Sequence, residues 1–371
     1  MWAAARPDVD RAGVVAELDA GGDIDRAADA ALANRVGALF WRGLAAAGAQ
    51  DSLGEVREAL MREAAARRAH ARTLLPLAMA RIVEPLRAAG LEPLIFKGPA
   101  VARRYPEVGL RPMDDIDVIL PRRAHRTGLR ALLENGWRDM GHRRTDVARP
   151  GDNYDTVLVH PELPQMPVEL HWDVAAWHER ATAVRSRDLW NSRREASFFG
   201  TEAFALPPEE DLVALANHAG KPSHHFARLI WVVDLVVVAR TAEGLDWDKV
   251  ASLADRWRCR TVLAVALRQA RRMGADVPDP LLTLPLDAPR RAPITTVLDE
   301  TWPLAAPDEQ QRYELRHAFA DSRRNRAALL LGEVFFGEPA RQIPRGALRL
   351  GHRIAQRRWA RLGSGRNLQR R

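Results

Sequence analysis

The sequence predicts an α+β fold, in which a small mixed-sheet core lies between an N-terminal and a C-terminal helical region. Apolar residues recur at helical spacing over most of the chain, whereas short apolar runs typical of strands are confined to residues 92–175. Two of those runs also carry acidic residues. We predict five regions: helical residues 1–88, an α/β core at 89–176, helical residues 177–275, a proline-rich connector and helix at 276–340, and a basic tail at 341–371.

The N-terminal region is predicted to be helical over residues 8–86, because Ala, Leu, Arg and Glu dominate it. Between Val56 and Ile82 the apolar residues recur at roughly helical spacing. The arginines of this segment therefore occupy the opposite, solvated face of the helix.

Four strands are predicted in the core, each a short apolar or alternating run that ends at a turn residue or a proline. A helix is predicted at 122–134, and Asn135-Gly136 ends it. In the last strand Glu169 and His171 share one face, because successive side chains of a strand alternate between its two faces. The predicted strands are 93–96, 116–120, 155–160 and 167–174.

Helix is predicted again after the core. The acidic residues at 209–211 are typical of a first helical turn. The segment 227–240 is apolar almost all round and is therefore predicted to be buried. Residues 276–308 contain seven prolines and are predicted to form an extended connector. Further helices are predicted at 247–273 and 310–336.

The composition is that of a globular protein, with 47% hydrophobic and 28% charged residues, and it excludes collagen-like and wholly disordered chains. The net charge of +8 is misleading, because residues 341–371 hold ten arginines and no acid, which leaves about −2 for the rest. The single cysteine, Cys259, excludes an internal disulfide and a multi-cysteine zinc site.

Neither a signal peptide nor a membrane span is predicted. Asp8 and Asp10 precede any apolar run at the N-terminus, which is not typical of a signal peptide. The most apolar window, 229–239, contains Asp234 and is shorter than the about 20 residues that a membrane span needs. The sequence therefore predicts a cytoplasmic protein.

The most informative residues are three acids on the predicted strands. Asp115 and Asp117 are two positions apart and share one face of a strand, while Asp114 points away and is interpreted as a strand-entry residue. Glu169 lies between apolar residues of a later strand, where a carboxylate is costly unless it meets a cation or water. If the two strands are neighbours, Asp115, Asp117 and Glu169 form a cluster suited to Mg²⁺, which prefers oxygen ligands.

A phosphate-binding turn is predicted at Lys97-Gly98, which follows the first predicted strand. A glycine there lets a phosphate approach the backbone. Lysine is rare in this chain, since only three of the 56 basic residues are lysine, and one of the three is Lys97.

Together these motifs resemble the uncharacterised nucleotidyltransferase family within the polymerase-beta-like superfamily. Residues 168–172 are similar to the strand that carries that family's third carboxylate, and residues 218–234 are similar to its downstream helices. The resemblance covers residues 60–240. Within this range its other motifs are the segments 94–98, 105–106 and 111–120.

The resemblance implies a transfer of a nucleotide from a nucleoside triphosphate, with ATP as the default donor. Asp115 and Asp117 would bind two Mg²⁺ ions, and Glu169 would complete the site and help to deprotonate the acceptor. Paired metal ions suit this chemistry, because they stabilise both the attacking and the leaving oxygen.

The phosphate turn departs from the wider superfamily, which has Gly-Ser where this chain has Gly98-Pro99. Proline has no N–H, and the serine hydroxyl is missing. We expect Lys97 or Arg111 to hold the triphosphate instead.

Two rival functions remain open at this point. In the first, the protein is a nucleotide-binding module with weak or no catalysis. In the second, the protein binds RNA through its basic tail. In the leading hypothesis the acceptor is a small molecule, a peptide or protein, or an RNA end, and nucleic acid is not favoured.

Several polar residues are assigned no single role. His171 either orients a metal-bound water or the acceptor, or forms a structural hydrogen bond. Asp234 lies in an apolar run and requires a partner, for which an arginine such as Arg228 is preferred over the nucleotide or acceptor. A zinc site is considered for His218, His224 and His225, and helix packing with polar contacts is preferred.

Overall fold

The computed structural model describes most of the 371-residue chain, and the predicted basic tail at 341–371 lies outside the described residues. The described residues are 3–8, 10–54, 56–140, 154–175, 180–221, 223–301 and 307–336.

The N-terminal region is helical, as predicted. Asp10 and Asp23 begin the first two helices, and each side chain accepts a hydrogen bond from a backbone N–H of the first turn. The region ends in a helix of 32 residues. The helices are α1 (Arg11–Asp19), α2 (Ile24–Ala33), α3 (Gly37–Ala47) and α4 (Arg57–Ala88).

The sheet begins directly after α4, and all four predicted strands are present. The helix that follows the second strand has the predicted bounds and ends at Asn135. The elements are β1 (Leu94–Phe96), α5 (Gly98–Ala102), β2 (Ile116–Ile119), α6 (Arg122–Glu134), β3 (Arg138–Asp139), β4 (Asp155–His160) and β5 (Leu163–His171).

Helix α7 (Ser186–Ser192) and two further strands, β6 (Arg194–Phe198) and β7 (Thr201–Ala205), follow in a region for which the sequence predicted only helix. The strands form a hairpin around Phe199-Gly200, and both turn residues have positive φ. A phenylalanine is unusual in that conformation, so the turn lacks a familiar sequence signature. The sheet therefore continues beyond residue 176, where the predicted core ends.

The seven strands form one mixed sheet in the order β3-β4-β5-β2-β1-β7-β6. β2 pairs antiparallel with β1 on one side and parallel with β5 on the other. β7 pairs parallel with β1 on the side of β1 opposite β2, and β6 pairs antiparallel with β7 at the edge of the sheet. β2, which contains Asp117, thus lies in the middle of the sheet.

The C-terminal part of the described chain is helical, and the predicted buried helix is present as α9. The segment predicted as one helix at 247–273 is two helices, because the chain turns at Arg258, which has φ 51°. The helices are α8 (Pro208–Ala219), α9 (Ile230–Thr241), α10 (Trp247–Arg256), α11 (Arg260–Arg272), α12 (Ala288–Ile294), α13 (Glu309–Ala318) and α14 (Arg323–Phe336).

The proline-rich segment is more helical than the sequence predicted. Pro289 lies in the first turn of α12, where its missing N–H costs nothing, and a π-helical turn at Thr295–Thr301 continues the chain. The prediction of an extended connector over 276–308 was therefore wrong in this part. Within the described ranges, no helix combines the length and the apolar character that crossing a membrane requires.

The two faces of the sheet contribute to different hydrophobic cores. Ile95, Val118 and Leu170 lie in the core that contains the C-terminal half of α4 and Leu132 of α6. The alternate residues Leu94, Phe96 and Ile119 lie in the larger core, which contains α8 and α9. Asp117, which lies between Ile116 and Val118, therefore points away from the C-terminal half of α4.

A buried ion pair connects α9 to the segment between α5 and β2. Arg111 donates to both carboxylate oxygens of Asp234, with Nε–Oδ1 at 3.1 Å and Nη2–Oδ2 at 2.7 Å. The Tyr105 hydroxyl donates to the same carboxylate at 2.7 Å. The side chains of Arg111 and Asp234 are 10% and 1% exposed. The predicted arginine partner of Asp234 is therefore Arg111, and Arg228 instead approaches Asp114.

We predict that Asp234→Ala lowers the free energy of unfolding by ~3–5 kcal/mol, because it leaves the buried Arg111 guanidinium without its counter-charge. Tyr105→Phe removes one hydrogen bond to a charged group and should cost about 2 kcal/mol. Urea unfolding followed by circular dichroism measures both changes. Arg62→Ala, which breaks an exposed pair with Glu58, is the control and should change stability by less than about 0.5 kcal/mol. Equal losses in Asp234→Ala and Arg62→Ala would contradict the importance of the buried pair.

Candidate active site

Three polar side chains meet where β2 and β5 run side by side. The parallel register places Asp117 opposite Glu169 and Ile119 opposite His171. On its other side Asp117 pairs with Phe96 of β1. Alternation along β5 places Glu169 and His171 on one face, as the sequence predicted.

The Asp117 carboxylate is the centre of the cluster. Its Oδ1 atom lies 2.6 Å from Nζ of Lys97 and 2.8 Å from Nε2 of His171. His171 Nε2 is also 3.3 Å from Oε2 of Glu169. The side chains of Asp117, His171 and Lys97 are 2%, 5% and 10% exposed, so the cluster is largely shielded from water.

The cluster perturbs the ionisation of its members. Burial favours the neutral forms, but Lys97 and His171 outweigh it and hold the pKa of Asp117 well below its ordinary value. The pKa of His171 rises to about 9, because its hydrogen bonds with Asp117 and Glu169 overcome the effect of burial. Burial alone would raise the pKa of Glu169, but its hydrogen bond with His171 lowers that pKa below the ordinary value. At neutral pH the cluster thus consists of two carboxylates and two cations.

Asp115 lies at the edge of this arrangement, immediately before β2. Burial and then repulsion from Asp117 raise its pKa to about 6. The ligand atoms of Asp117, Glu169 and His171 all lie within 4.8 Å of one another, and Asp115 is not a member of that group. The structure thus brings two of the three predicted carboxylates together directly and places the third nearby.

Lys97-Gly98 forms the junction between β1 and α5. Lys97 has φ 53°, a left-handed conformation that is uncommon for a residue with a side chain, and its carbonyl accepts a hydrogen bond from Val101 N. Gly98 and Pro99 are buried as the first residues of α5. A Cβ on Gly98 would lie 3.4 Å from the Asp115 carbonyl oxygen, so the turn packs closely behind the acidic segment.

Arg111, one of the two residues predicted to hold the triphosphate, is paired with other protein groups in this structure. Its Nε and Nη2 atoms donate to Asp234, and Nη1 donates to the Pro112 carbonyl at 3.0 Å. The structure therefore engages Arg111 in a scaffold ion pair. No local pattern indicates this pairing, because the two partners are 123 residues apart.

Aromatic and acidic residues that the sequence did not single out surround His171. Tyr154 stacks on its ring with centroids 5.8 Å apart and planes 17° apart. Asp155 pairs with His171 across β4 and β5, and its Oδ2 lies 3.9 Å from Nδ1. These contacts fix the imidazole so that Nε2 faces Asp117 and Glu169.

His218 and His224 pack against each other and against Trp231 of α9, in line with the helix packing preferred from the sequence. His224 contacts the His218 carbonyl through Nδ1 at 2.8 Å and stacks on Trp231 at 4.5 Å. Burial is the main cause that lowers the pKa of His218 and lowers that of His224 and His225 to about 3. In the described part of the chain, only Asp117, Glu169 and His171 form a group of three suited to share a metal ion.

A family model described as an uncharacterised nucleotidyltransferase matches residues 20–275, which is more than half of the chain. The chain belongs to this nucleotidyltransferase family. The family assignment confirms the resemblance inferred from the motifs and makes the protein a transferase.

A comparison with curated proteins gave no match for this nucleotidyltransferase. Among solved structures, it is similar to the solution structure of the antibiotic-resistance factor ANT(2″)-Ia, with 18% sequence identity and a TM-score of 0.34. The similarity covers 54% of this chain and 98% of the other. Such a distant likeness carries no information about substrate.

The donor set of this nucleotidyltransferase fits a hard divalent cation. Asp117 and Glu169 offer carboxylate oxygens at adjacent register positions, and Asp115 adds a third nearby. Lys97 and His171 supply positive charge at the same Asp117 oxygen, which shows that this position attracts cations. A cation there would take over part of the charge compensation that these two side chains provide.

We predict that the His171 imidazole titrates near pH 9 in protein stripped of divalent cations, well above the ordinary value of 6.5. Since the folded-state pKa is raised, its contribution to stability is complete below pH 6.5 and is lost as the pH rises through 9. NMR titration of protein labelled with ¹³C-histidine measures this pKa, and His171→Gln identifies the resonance. Asp117→Asn should move the pKa towards 6.5. An imidazole that titrates near 6.5 in the unsubstituted protein would show that the hydrogen bonds are absent.

Proposed function

We propose that this nucleotidyltransferase transfers AMP from ATP, with Mg²⁺, to a hydroxyl or comparable acceptor on a small molecule, a peptide or a protein. The observation that carries the proposal is the pairing of Asp117 with Glu169 on neighbouring parallel strands, with Asp115 beside them. Carboxylates at this spacing in a largely buried site suit cations that also bind phosphate oxygens.

Asp115, Asp117 and Glu169 would hold two Mg²⁺ ions. When bound, such paired ions stabilise the attacking and the leaving oxygen of an in-line displacement. In the proposed reaction the acceptor oxygen forms a bond to the α-phosphorus of ATP, the bond to the β-phosphate oxygen breaks, and pyrophosphate leaves.

Glu169 is the carboxylate that we assign to the acceptor side of the site. Its side chain is 19% exposed, whereas that of Asp117 is 2% exposed, so Glu169 is more accessible to an incoming hydroxyl. We propose that it accepts the proton that the acceptor loses. His171 contacts Glu169 and Asp117 through the same nitrogen and holds their relative position.

Lys97 is the residue that we assign to the charge of the triphosphate. Its ammonium contacts Asp117, the carboxylate that would bind the cation. The next residue, Gly98, has no side chain that would keep a phosphate from the backbone. We favour Lys97 over Arg111 for this role, because the Arg111 guanidinium is paired with both oxygens of Asp234.

We predict that the double variant Asp115→Asn/Asp117→Asn loses at least about 100-fold in activity, because it removes two of the negative charges that hold the cations. The measurement incubates pure protein with α-labelled ATP, Mg²⁺ and a panel of hydroxyl-bearing acceptors, and follows transfer of the label. Asp114→Asn is a matched control, since Asp114 is exposed and pairs with Arg35 and Arg228. Its activity should stay within about threefold of the parent.

Two results would contradict this assignment. A signal from the parent protein no greater than that of the double variant would overturn the claim of catalysis. An equal loss in Asp114→Asn would show that the acidic segment acts through its fold alone.

We also predict that ATP binding depends on Mg²⁺ and on Asp117. Isothermal titration with and without Mg²⁺ should show an affinity at least about tenfold higher with the metal, and Asp117→Asn should abolish this difference. Binding that is indifferent to both would instead favour the rival function, a nucleotide-binding module in which Gly98-Pro99 replaces the catalytic phosphate turn.

A further inference from the structure

A second, arginine-rich cavity lies away from the carboxylate cluster. It occupies about 1090 Å³ beside the turn between α10 and α11, the start of α14 and residues 183 and 185. None of Lys97, Asp117, Glu169 and His171 lines it. Six arginines and two aspartates contribute to its walls: Arg185, Arg258, Arg260, Arg290, Arg323, Arg324, Asp255 and Asp321.

The two aspartates offset only part of this charge, since six arginines and two aspartates leave the lining with a formal charge of +4. Asp255 forms an ion pair with Arg260 at the surface. Asp321 accepts hydrogen bonds from the backbone N–H and the hydroxyl of Thr261. Within the described ranges, four of the arginines have no carboxylate within 4.0 Å: Arg185, Arg258, Arg290 and Arg323.

The arginines also repel one another. Burial, together with the neighbouring charges of Arg180 and Arg324, lowers the pKa of Arg185 to about 10, against the opposing effect of Asp173. The pKa of Arg324 is lowered by burial and then by Arg258 and Arg180. Like charges confined in a concave site raise the free energy of the unliganded protein, and a bound anion relieves that repulsion.

Arg258 provides an independent sign that the cavity serves a purpose. It follows the end of α10 with φ 51°, and the next residue, Cys259, donates from its N–H to the Ala254 carbonyl at 2.9 Å. Arg258 N bonds to the Asp255 carbonyl at 3.1 Å, which completes a Schellman motif. Glycine is the usual residue at this position, and a side chain there is strained. An arginine at a strained backbone position, with its side chain lining the cavity, points to a use for that side chain.

We propose that this arginine cavity binds a small molecule that carries at least two phosphate groups. The planar guanidinium fork matches a phosphate in a bidentate manner, and several forks around one cavity suit several phosphates. The volume of about 1090 Å³ is slightly above the about 300–1,000 Å³ typical of small-molecule sites, so the cavity has room for several phosphate groups.

The test is isothermal titration of the full chain with sodium tripolyphosphate in EDTA. EDTA and the double variant Asp115→Asn/Asp117→Asn separate the arginine cavity from the proposed catalytic site. Binding in the arginine cavity needs neither a metal ion nor those two carboxylates. We expect saturable binding with one tripolyphosphate per chain, unchanged in the double variant. Arg258→Gln should lower the affinity at least tenfold.

Arg256→Gln is the matched control. Arg256 is exposed in the last turn of α10, two residues from Arg258, and does not line the cavity. The affinity of the Arg256→Gln variant for tripolyphosphate should equal that of the parent protein. Arg258→Gly should weaken binding as Arg258→Gln does, while its thermal unfolding midpoint is equal to or higher than that of the parent, because glycine relieves the strain.

Three results would overturn the proposal. Equal affinity in the parent, Arg258→Gln and Arg256→Gln would attribute binding to other basic residues, such as those of the tail. Equal affinity for orthophosphate and tripolyphosphate would exclude recognition of two phosphates. Tighter binding of a short RNA, with the same dependence on Arg258, would make the cavity part of a nucleic-acid surface.

Discussion

The charge of Asp117 is the constraint on which the site depends. A carboxylate that is 2% exposed in the middle of a sheet is stable only with counter-charges, and Lys97 and His171 supply them at the same oxygen. One partner comes from the end of β1 and the other from β5, two residues beyond Glu169. The strand register therefore fixes the electrostatics. A slip of one residue between β2 and β5 would turn Glu169 and His171 to the opposite face and leave Asp117 without one of its cations.

The second buried aspartate, Asp234, extends the same principle to the scaffold. Arg111 lies four residues before Asp115, so the ion pair to α9 anchors the segment that leads into the acidic strand. The Tyr105 hydroxyl adds a third contact from the other end of that segment. The helical region after the sheet thus contributes to the geometry of the acidic segment through Asp234. The two ion pairs have separate functions, since one carries charge at the site and the other holds the path of the chain.

The sequence predicted those features that a local pattern encodes. Alternation along a strand placed Glu169 and His171 on one face, and a short apolar run that ends at Pro121 predicted β2. The β6–β7 hairpin escaped prediction, because its turn uses Phe199 in a left-handed conformation that no propensity favours. The role of Arg111 escaped for a different reason. Burial required a partner for Asp234, but proximity along the chain favoured Arg228, and the true partner is 123 residues away.

The distribution of basic residue types supports this division of functions. The chain has only three lysines among 56 basic residues, and one of them contacts Asp117. An ammonium is a compact charge that approaches a single oxygen, as Lys97 does at 2.6 Å, and it leaves room for a second cation. A guanidinium instead occupies both oxygens of its partner, as Arg111 does at Asp234. Arginine at position 97 would therefore occupy both oxygens of Asp117, the carboxylate that binds a metal ion in the proposed function. Lysine at this position instead contacts one oxygen and leaves the other accessible to a second cation.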